Sequence, residues 1–130
     1  MTENASTIFD RNWRVHRAIL RYLISGWAQN GATTFPLGTL TVNVLGSFIL
    51  SSILFISEYR GVISDETRIF LTIGLLGAFT TMSTFSYESF RLLESRDFFY
   101  LALNIIGTIF LTMFAVYIGK VLVITLGGVK

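Results

Sequence analysis

Three long stretches without a charged residue restrict this chain to folds that bury helices in a membrane. They comprise residues 37–57, 69–87 and 98–119. Each has about the 20 residues that an α-helix needs to cross the hydrocarbon core of a bilayer. A fourth apolar stretch, residues 18–28, is shorter and contains Arg21, whose head group must reach the interface if this helix spans. We therefore predict an all-α membrane protein with four transmembrane helices, the first of them short.

The composition agrees with a membrane protein and excludes several partners. Of the 130 residues, 52% are hydrophobic and 14% are charged, and the mean hydropathy is +0.65. A soluble domain carries about a quarter charged residues. The net charge of +2 comes from scattered cations, so nucleic acid is not an expected partner, and without cysteine there is no thiolate metal site. The expected surroundings are a lipid bilayer.

The charged residues divide the chain and predict its orientation. Residues 1–17 form a polar N-terminal tail, expected to be exposed or to lie as a short interfacial helix, and residues 18–130 form the transmembrane domain. The tail lacks the apolar core of a secretory signal. Most lysines and arginines lie on the side of the N-terminus, and only Arg91 and Arg96 lie opposite. The positive-inside rule then places both termini of a multi-pass cell-membrane protein in the cytoplasm.

The third apolar stretch is predicted to break in the middle of the membrane. Gly74 and Gly77 precede residues 80–86, in which five of seven side chains carry a hydroxyl. Glycine and threonine lower helix propensity, and unwound backbone persists in a membrane only where it is buried or lines a cavity. Freed carbonyls would bind a cation, and freed N–H groups an anion. A continuous but kinked helix is the alternative.

Polar residues recur at every fourth position of two other apolar stretches. They are Thr39, Asn43, Ser47 and Ser51 in the second stretch and Tyr100, Asn104, Thr108 and Thr112 in the last. This spacing keeps each set on one helix face, so the two faces are predicted to line one narrow path. The alternative is that small polar residues only allow membrane helices to approach and hydrogen-bond.

The chemistry that the stretches lack excludes enzymes. None of the three contains a carboxylate, since Glu88 follows the third, and the single histidine lies in residues 1–17. No catalytic or metal-binding constellation remains, and a small multidrug transporter would lack the buried carboxylate on which that class depends. A path of hydroxyls and an amide suits a small ion, and an aromatic ring such as Phe85 presents a positive edge to an anion. Packing is the commoner role of such a ring.

Three segments carry a resemblance to a known family. LRY (residues 20–22), GTLTVN (residues 38–43) and GAFTTMSTFSYE (residues 77–88) resemble the Fluc, or CrcB-type, fluoride channels in order and spacing. The resemblance extends over about residues 20–119. It implies an antiparallel, dual-topology dimer with two pores that export fluoride passively and so reduce its toxicity.

The resemblance also implies roles for individual residues. Asn43 and Phe85 would contact fluoride, while Met82 occupies the position of a second phenylalanine of the family. The remaining path residues would be Ser83, Thr84, Tyr100 and Thr108. A structural sodium ion at the dimer centre would be held by the backbone carbonyls of Gly77 and Thr80.

Three departures from the family pattern leave the assembly open. Met82 lacks a ring, and a polar segment replaces the apolar, glycine-rich start of the first helix. The charge bias favours one orientation, whereas family dimers pair opposite orientations. Two assemblies remain, a homodimer and a heterodimer with an oppositely oriented paralogue. The functional alternative is a non-conducting structural subunit of such a heterodimer.

Overall fold

The computed structural model describes residues 5–29 and 34–127, and all regular structure in these ranges is helical. The elements are α1 (Ala5–Ala28), α2 (Leu37–Arg60), α3 (Asp65–Ile69), a π-helix (Phe70–Leu76), α4 (Gly77–Phe79), α5 (Met82–Glu94) and α6 (Phe98–Gly127). The prediction of an all-α protein is confirmed. We call α3, the π-helix and α4 together the first half of the broken helix, and α5 its second half.

Among the described residues, two helices are long and apolar enough to cross a membrane. They are α2, with 24 residues, and α6, with 30. At about 1.5 Å of rise per residue, each exceeds the hydrocarbon thickness of about 30 Å. Only 28% and 17% of their most apolar windows are buried within the chain. Apolar surface left so exposed requires contact with lipid or with another subunit.

The most extensive packing joins α2 and α6, which run parallel to each other. Ser51 of α2 lies against Gly119 of α6. The next residue of α6, Lys120, has its Nζ 5.4 Å from the centre of the Phe55 ring, one turn beyond Ser51 on α2. At the ends of both helices, Arg60 Nη2 donates a hydrogen bond to the Leu126 carbonyl at 3.3 Å. Short loops predict that successive helices run antiparallel. The chain reverses direction once before the broken helix and once after it, so α2 and α6 run parallel.

We expect Gly119→Ala to destabilise the protein because the α2–α6 contact leaves no room for a methyl group. A Cβ there would overlap with Ser51 Oγ and approach Phe48 O and Ser52 Oγ to 3.0 Å. Overpacking of this kind costs about 1–3 kcal/mol, which unfolding in detergent would measure. Gly107→Ala is the control in the same helix, since its Cβ would meet nothing within 4 Å. Equal stability of the two variants would contradict this account of the interface.

The connection from α1 to α2 is closed by one side chain. Gln29 Nε2 donates to the Phe35 carbonyl at 3.0 Å, and Gln29 Oε1 accepts from the Gly38 N–H at 3.1 Å. The second bond satisfies one of the N–H groups that the start of a helix leaves without a partner. Gly38 also lies against the Ser25 backbone. Gln29 therefore fixes α1 beside the N-terminus of α2.

The first helix is longer than predicted. The sequence predicts a boundary between residues 17 and 18, but α1 runs through it without interruption and has 24 residues. Residues 1–4 of the predicted tail lie outside the described ranges. Arg14, Arg17 and Arg21 lie three and four residues apart, so they share one face of α1. Arg17 is only 5% exposed, because this face turns towards the broken helix.

Candidate functional site

The third apolar stretch breaks at Thr80 and Thr81. Their backbone is extended, with φ −76° and ψ 156° at Thr80 and φ −145° and ψ 111° at Thr81. The seven residues of the π-helix precede the break, and π-helical turns are rare and frequently lie at functional sites. The predicted interruption is confirmed, and the alternative of a continuous helix is excluded.

Asn43 of α2 holds the broken backbone from the side. Its Oδ1 accepts a hydrogen bond from Thr81 N at 2.8 Å, and its Nδ2 donates to Thr81 O at 3.3 Å. The side chain is 9% exposed. Backbone groups without partners are costly inside a membrane, so this pair of bonds stabilises the extended conformation. An amide nitrogen carries two hydrogens, and one of them forms the hydrogen bond with Thr81 O.

The break deprives several carbonyl groups of their helical donors, those of Gly77 and Thr80 among them. In a continuous α-helix, Thr81 N would bond to Gly77 O and Thr84 N to Thr80 O. Instead Thr81 N donates to Asn43, and Thr84 N donates to Thr81 Oγ1 at 3.2 Å as an N-cap. Gly77 and Thr80 are the residues whose carbonyls the sequence predicts to bind a cation.

A cavity of about 320 Å³ lies beside the break, and we call it the polar cavity. Its lining residues are Asn43, Ser47, Leu50, Thr72, Leu76, Gly77, Thr80, Thr81, Met82, Thr108 and Thr112. Five predicted site residues from α2, α6 and both sides of the break therefore meet here. Thr108 Oγ1 is buried without a hydrogen-bond partner among the described residues, and such a group is explained by a ligand or water. Met82, by contrast, is 71% exposed.

Four other predicted residues do not line the polar cavity. Ser83 is exposed on α5 and Phe85 is half-buried. The ring of Tyr100 packs against Phe35 and Phe99, with centroids 5.9 and 5.6 Å apart. Thr84 lines a different cavity. A single chain thus assembles only part of the predicted path.

The cavity that Thr84 lines contains charged groups, and we call it the charged cavity. It has a volume of about 530 Å³ and lies between α1, α2 and α5. Arg21 and Glu88 both line it, and Thr39 Oγ1 donates to Glu88 Oε1 at 2.8 Å. Glu88 is not among the site residues predicted from the sequence. Its position in the segment that carries the family resemblance was the available signal.

The polar residues at fourfold spacing separate into two kinds. Thr108 and Thr112 line the polar cavity, whereas Asn104, 1% exposed, donates from Nδ2 to Ser89 Oγ at 3.0 Å and joins α6 to α5. On α2, Ser51 bonds to the Phe48 carbonyl and faces Gly119. Residues of the two polar faces therefore line one cavity near the break, and the packing alternative describes Asn104 and Ser51 better.

Comparisons with known proteins identify the family to which the chain is similar. The family model described as "CrcB-like protein, Camphor Resistance (CrcB)" matches residues 16–120. "Fluoride-specific ion channel FluC 1" of Methanosarcina acetivorans is 60% identical, over 85% of this chain and 85% of its own. "Fluoride-specific ion channel FluC 3" of Methanosarcina barkeri is 52% identical, over 87% and 89%. "Fluoride-specific ion channel FluC" of Geobacter metallireducens is 44% identical, over 78% and 82%.

Proposed function

The chain belongs to the CrcB-like family, and we propose that it is a fluoride-specific ion channel subunit that lets fluoride leave the cytoplasm passively. It is a channel of the cell membrane and not an enzyme. The observation that carries this function is identity of 60% and 52% to two fluoride-specific channels over most of both chains. The polar cavity at the break supports it, because that cavity contains groups that can replace water around an anion.

Fluoride is a small anion with a strongly held hydration shell, so a conducting path must offer hydrogen-bond donors in place of water. The Thr108 hydroxyl is buried beside the polar cavity, and its rotor can turn towards an anion. Asn43 has an amide hydrogen beyond the one that bonds Thr81. We assign to these two side chains the first replacement of water around fluoride by hydrogen-bond donors of the protein.

The other path residues complete this proposal in an assembled channel. Phe85 offers the positive edge of its ring, and Met82 lines the wall at the position of a second phenylalanine of the family. Ser83, Thr84 and Tyr100 supply hydroxyls further along the path. Met82 and Ser83 are exposed in the single chain, which supports a path completed by a second subunit.

We propose that this second subunit is antiparallel and that a structural sodium ion lies between the two. The carbonyls of Gly77 and Thr80 would hold the ion, since the break removes their helical donors. Hard cations prefer such oxygen ligands. When bound, sodium would tie together the two interrupted helices. The partner is either a second copy inserted against the charge bias of the chain or an oppositely oriented paralogue.

We further propose four transmembrane spans, with α1 and the broken helix added to α2 and α6. The 24 residues of α1 extend over about 36 Å, which is enough for a bilayer even though the helix carries arginines. The two halves of the broken helix cover residues 65–79 and 82–94, and each spans part of the membrane. Both termini then lie on the cytoplasmic side.

Fluoride efflux from liposomes tests the function directly. We expect the purified chain, reconstituted alone, to release fluoride, which an ion-selective electrode detects. A potassium ionophore lets potassium leave with the fluoride, so that no opposing membrane potential builds up. Chloride release under the same conditions should be negligible. No fluoride flux, or equal chloride flux, would contradict a fluoride-specific channel. Flux from the chain alone would also exclude the non-conducting subunit of a heterodimer.

A further inference from the structure

The break leaves the rotation of α5 about its own axis to be fixed by side chains. In a continuous helix, backbone hydrogen bonds fix the direction of each side chain relative to the residues before it. Thr80 and Thr81 are extended instead, so α5 begins as a new helix at Met82. Asn43 holds the chain at Thr81, just before this start. Contacts further along α5 must therefore determine which way its side chains point.

Two side-chain hydrogen bonds supply such contacts, one from each neighbouring helix. Thr39 Oγ1 of α2 donates to Glu88 Oε1 at 2.8 Å. Asn104 Nδ2 of α6 donates to Ser89 Oγ at 3.0 Å. Both donor side chains are buried. Because Glu88 and Ser89 are successive residues, they lie about 100° apart around the axis of α5, and the two bonds together oppose rotation in either direction.

Phe85 lies between these two bonds when α5 is viewed along its axis. Glu88 follows it by three residues and lies about 60° to one side, and Ser89 follows it by four and lies about 40° to the other. Helix side chains extend to about 5–6 Å from the axis, so a rotation of about 20° would move the ring by about 2 Å. A displacement of this size would turn a ring edge away from a small ion.

The buried amide of Asn104 leaves half of its hydrogen-bonding capacity unused. Its Oδ1 is buried without a hydrogen-bond partner among the described residues, and such a group lowers stability. Apolar side chains of the same shape in place of a buried polar pair can be neutral or stabilising. The amide is therefore a poor choice for packing alone, and what it supplies is a directional bond to Ser89.

We propose that Asn104 is a positioning residue for fluoride conduction, because through Ser89 it fixes the rotation of α5 and so the direction in which Phe85 presents its ring edge. The inference rests on the role of Phe85 in the proposed function. Loss of one hydrogen bond of typical net strength should lower the fluoride flux by about fivefold, which corresponds to about 1 kcal/mol.

Liposome efflux tests the consequence for conduction. We expect Ser89→Ala and Asn104→Leu each to lower the initial rate of fluoride release by about fivefold. The double variant should be no slower than either single one, because both changes remove the same bond. Ser89→Thr keeps an acceptor hydroxyl and should conduct as the wild type does. Ser95→Ala is the control just after α5, since the Ser95 hydroxyl bonds to the Leu92 carbonyl at 3.0 Å.

A fluorine NMR measurement tests the orientation of the ring without any flux. Phe85 is replaced by 4-fluorophenylalanine through nonsense suppression, and the spectrum of the purified protein is recorded in detergent. Ser89→Ala and Asn104→Leu should shift the fluorine signal, because the ring then meets different surroundings. Ser89→Thr and Ser95→Ala should leave the signal in place. A change in packing that did not reach the ring would not move it.

Each failure has a distinct result. Wild-type flux in both Ser89→Ala and Asn104→Leu would overturn the proposal. Reduced flux with an unshifted fluorine signal would also overturn it, because Asn104 would then act by a route other than Phe85. Absence of flux from the wild type would overturn the proposed function itself, whereas an unshifted signal overturns only the positioning. If Asn104→Leu does not fold, Ser89→Ala carries the same expectations.

Discussion

Asn43→Leu is expected to abolish measurable fluoride efflux from liposomes and to lower the stability of the protein. Leucine has the same number and branching of side-chain heavy atoms as asparagine but offers neither of the bonds that Asn43 makes with Thr81 N and Thr81 O. Each backbone group left buried without a partner costs about 1–3 kcal/mol. The break would then relax, and the path would lose an amide donor. We expect flux to fall by at least about a hundredfold, a change of roughly 2.7 kcal/mol in the barrier.

Asn43→Asp separates the two roles of this side chain. A carboxylate still accepts from Thr81 N, so the break should persist, but its negative charge opposes an anion in the path. We expect a folded protein without fluoride flux. Ser52→Ala is the control, since the Ser52 hydroxyl bonds to the Phe48 carbonyl of its own helix and Ser52 does not line the polar cavity. Full conduction by Asn43→Leu would remove Asn43 from the path and from the support of the break.

Phe85→Ile should reduce fluoride flux by about tenfold or more while the protein still folds and assembles. Isoleucine keeps an apolar side chain of moderate size at this half-buried position, but it has no positive ring edge to face an anion. Efflux reduced to this extent, with an unchanged elution volume in size-exclusion chromatography, would show that the ring acts on the ion. Efflux equal to the wild type would return Phe85 to a packing role.

Met82→Leu is the matched control for Phe85→Ile. Leucine and methionine have similar volumes, and such exchanges usually cost less than about 1.5 kcal/mol. Neither side chain has a ring, so we expect little change in flux if Met82 acts as apolar lining. A large loss in this variant would instead assign a specific role to the thioether, and the loss in Phe85→Ile could then no longer be attributed to a ring edge.

Local chemistry made the break predictable from the sequence. Glycines next to a hydroxyl-rich run favour an interrupted helix wherever they occur, and this segment contains both. The partner of the break was harder to predict, although Asn43 was singled out for its position on a polar face. The hydrogen bond between the Asn43 amide and Thr81 depends on the register between α2 and the broken helix. No local pattern encodes that register.

The first helix shows where sequence reasoning failed. Charged residues at positions 10–17 are typical of a solvated segment, yet α1 continues through them and buries Arg17. Arg17 lies beside Gly74 of the broken helix, and the two residues line the same cavity. Such a pairing joins residues 57 positions apart in the chain (74 − 17 = 57). The π-helix likewise has no signal in residue propensity, because it depends on how the stretch packs.

The hydrogen bonds at the break determine whether this segment can act as a gate. For the helix to reform through Thr81, its N–H must leave Asn43 Oδ1, and the Thr84 N–H must leave Thr81 Oγ1. Both bonds would have to be exchanged together, and the Asn43 amide would remain buried without its partners. Reclosure is therefore uphill at every stage. We therefore expect the interruption to persist while the protein conducts, so this segment is not expected to act as a gate.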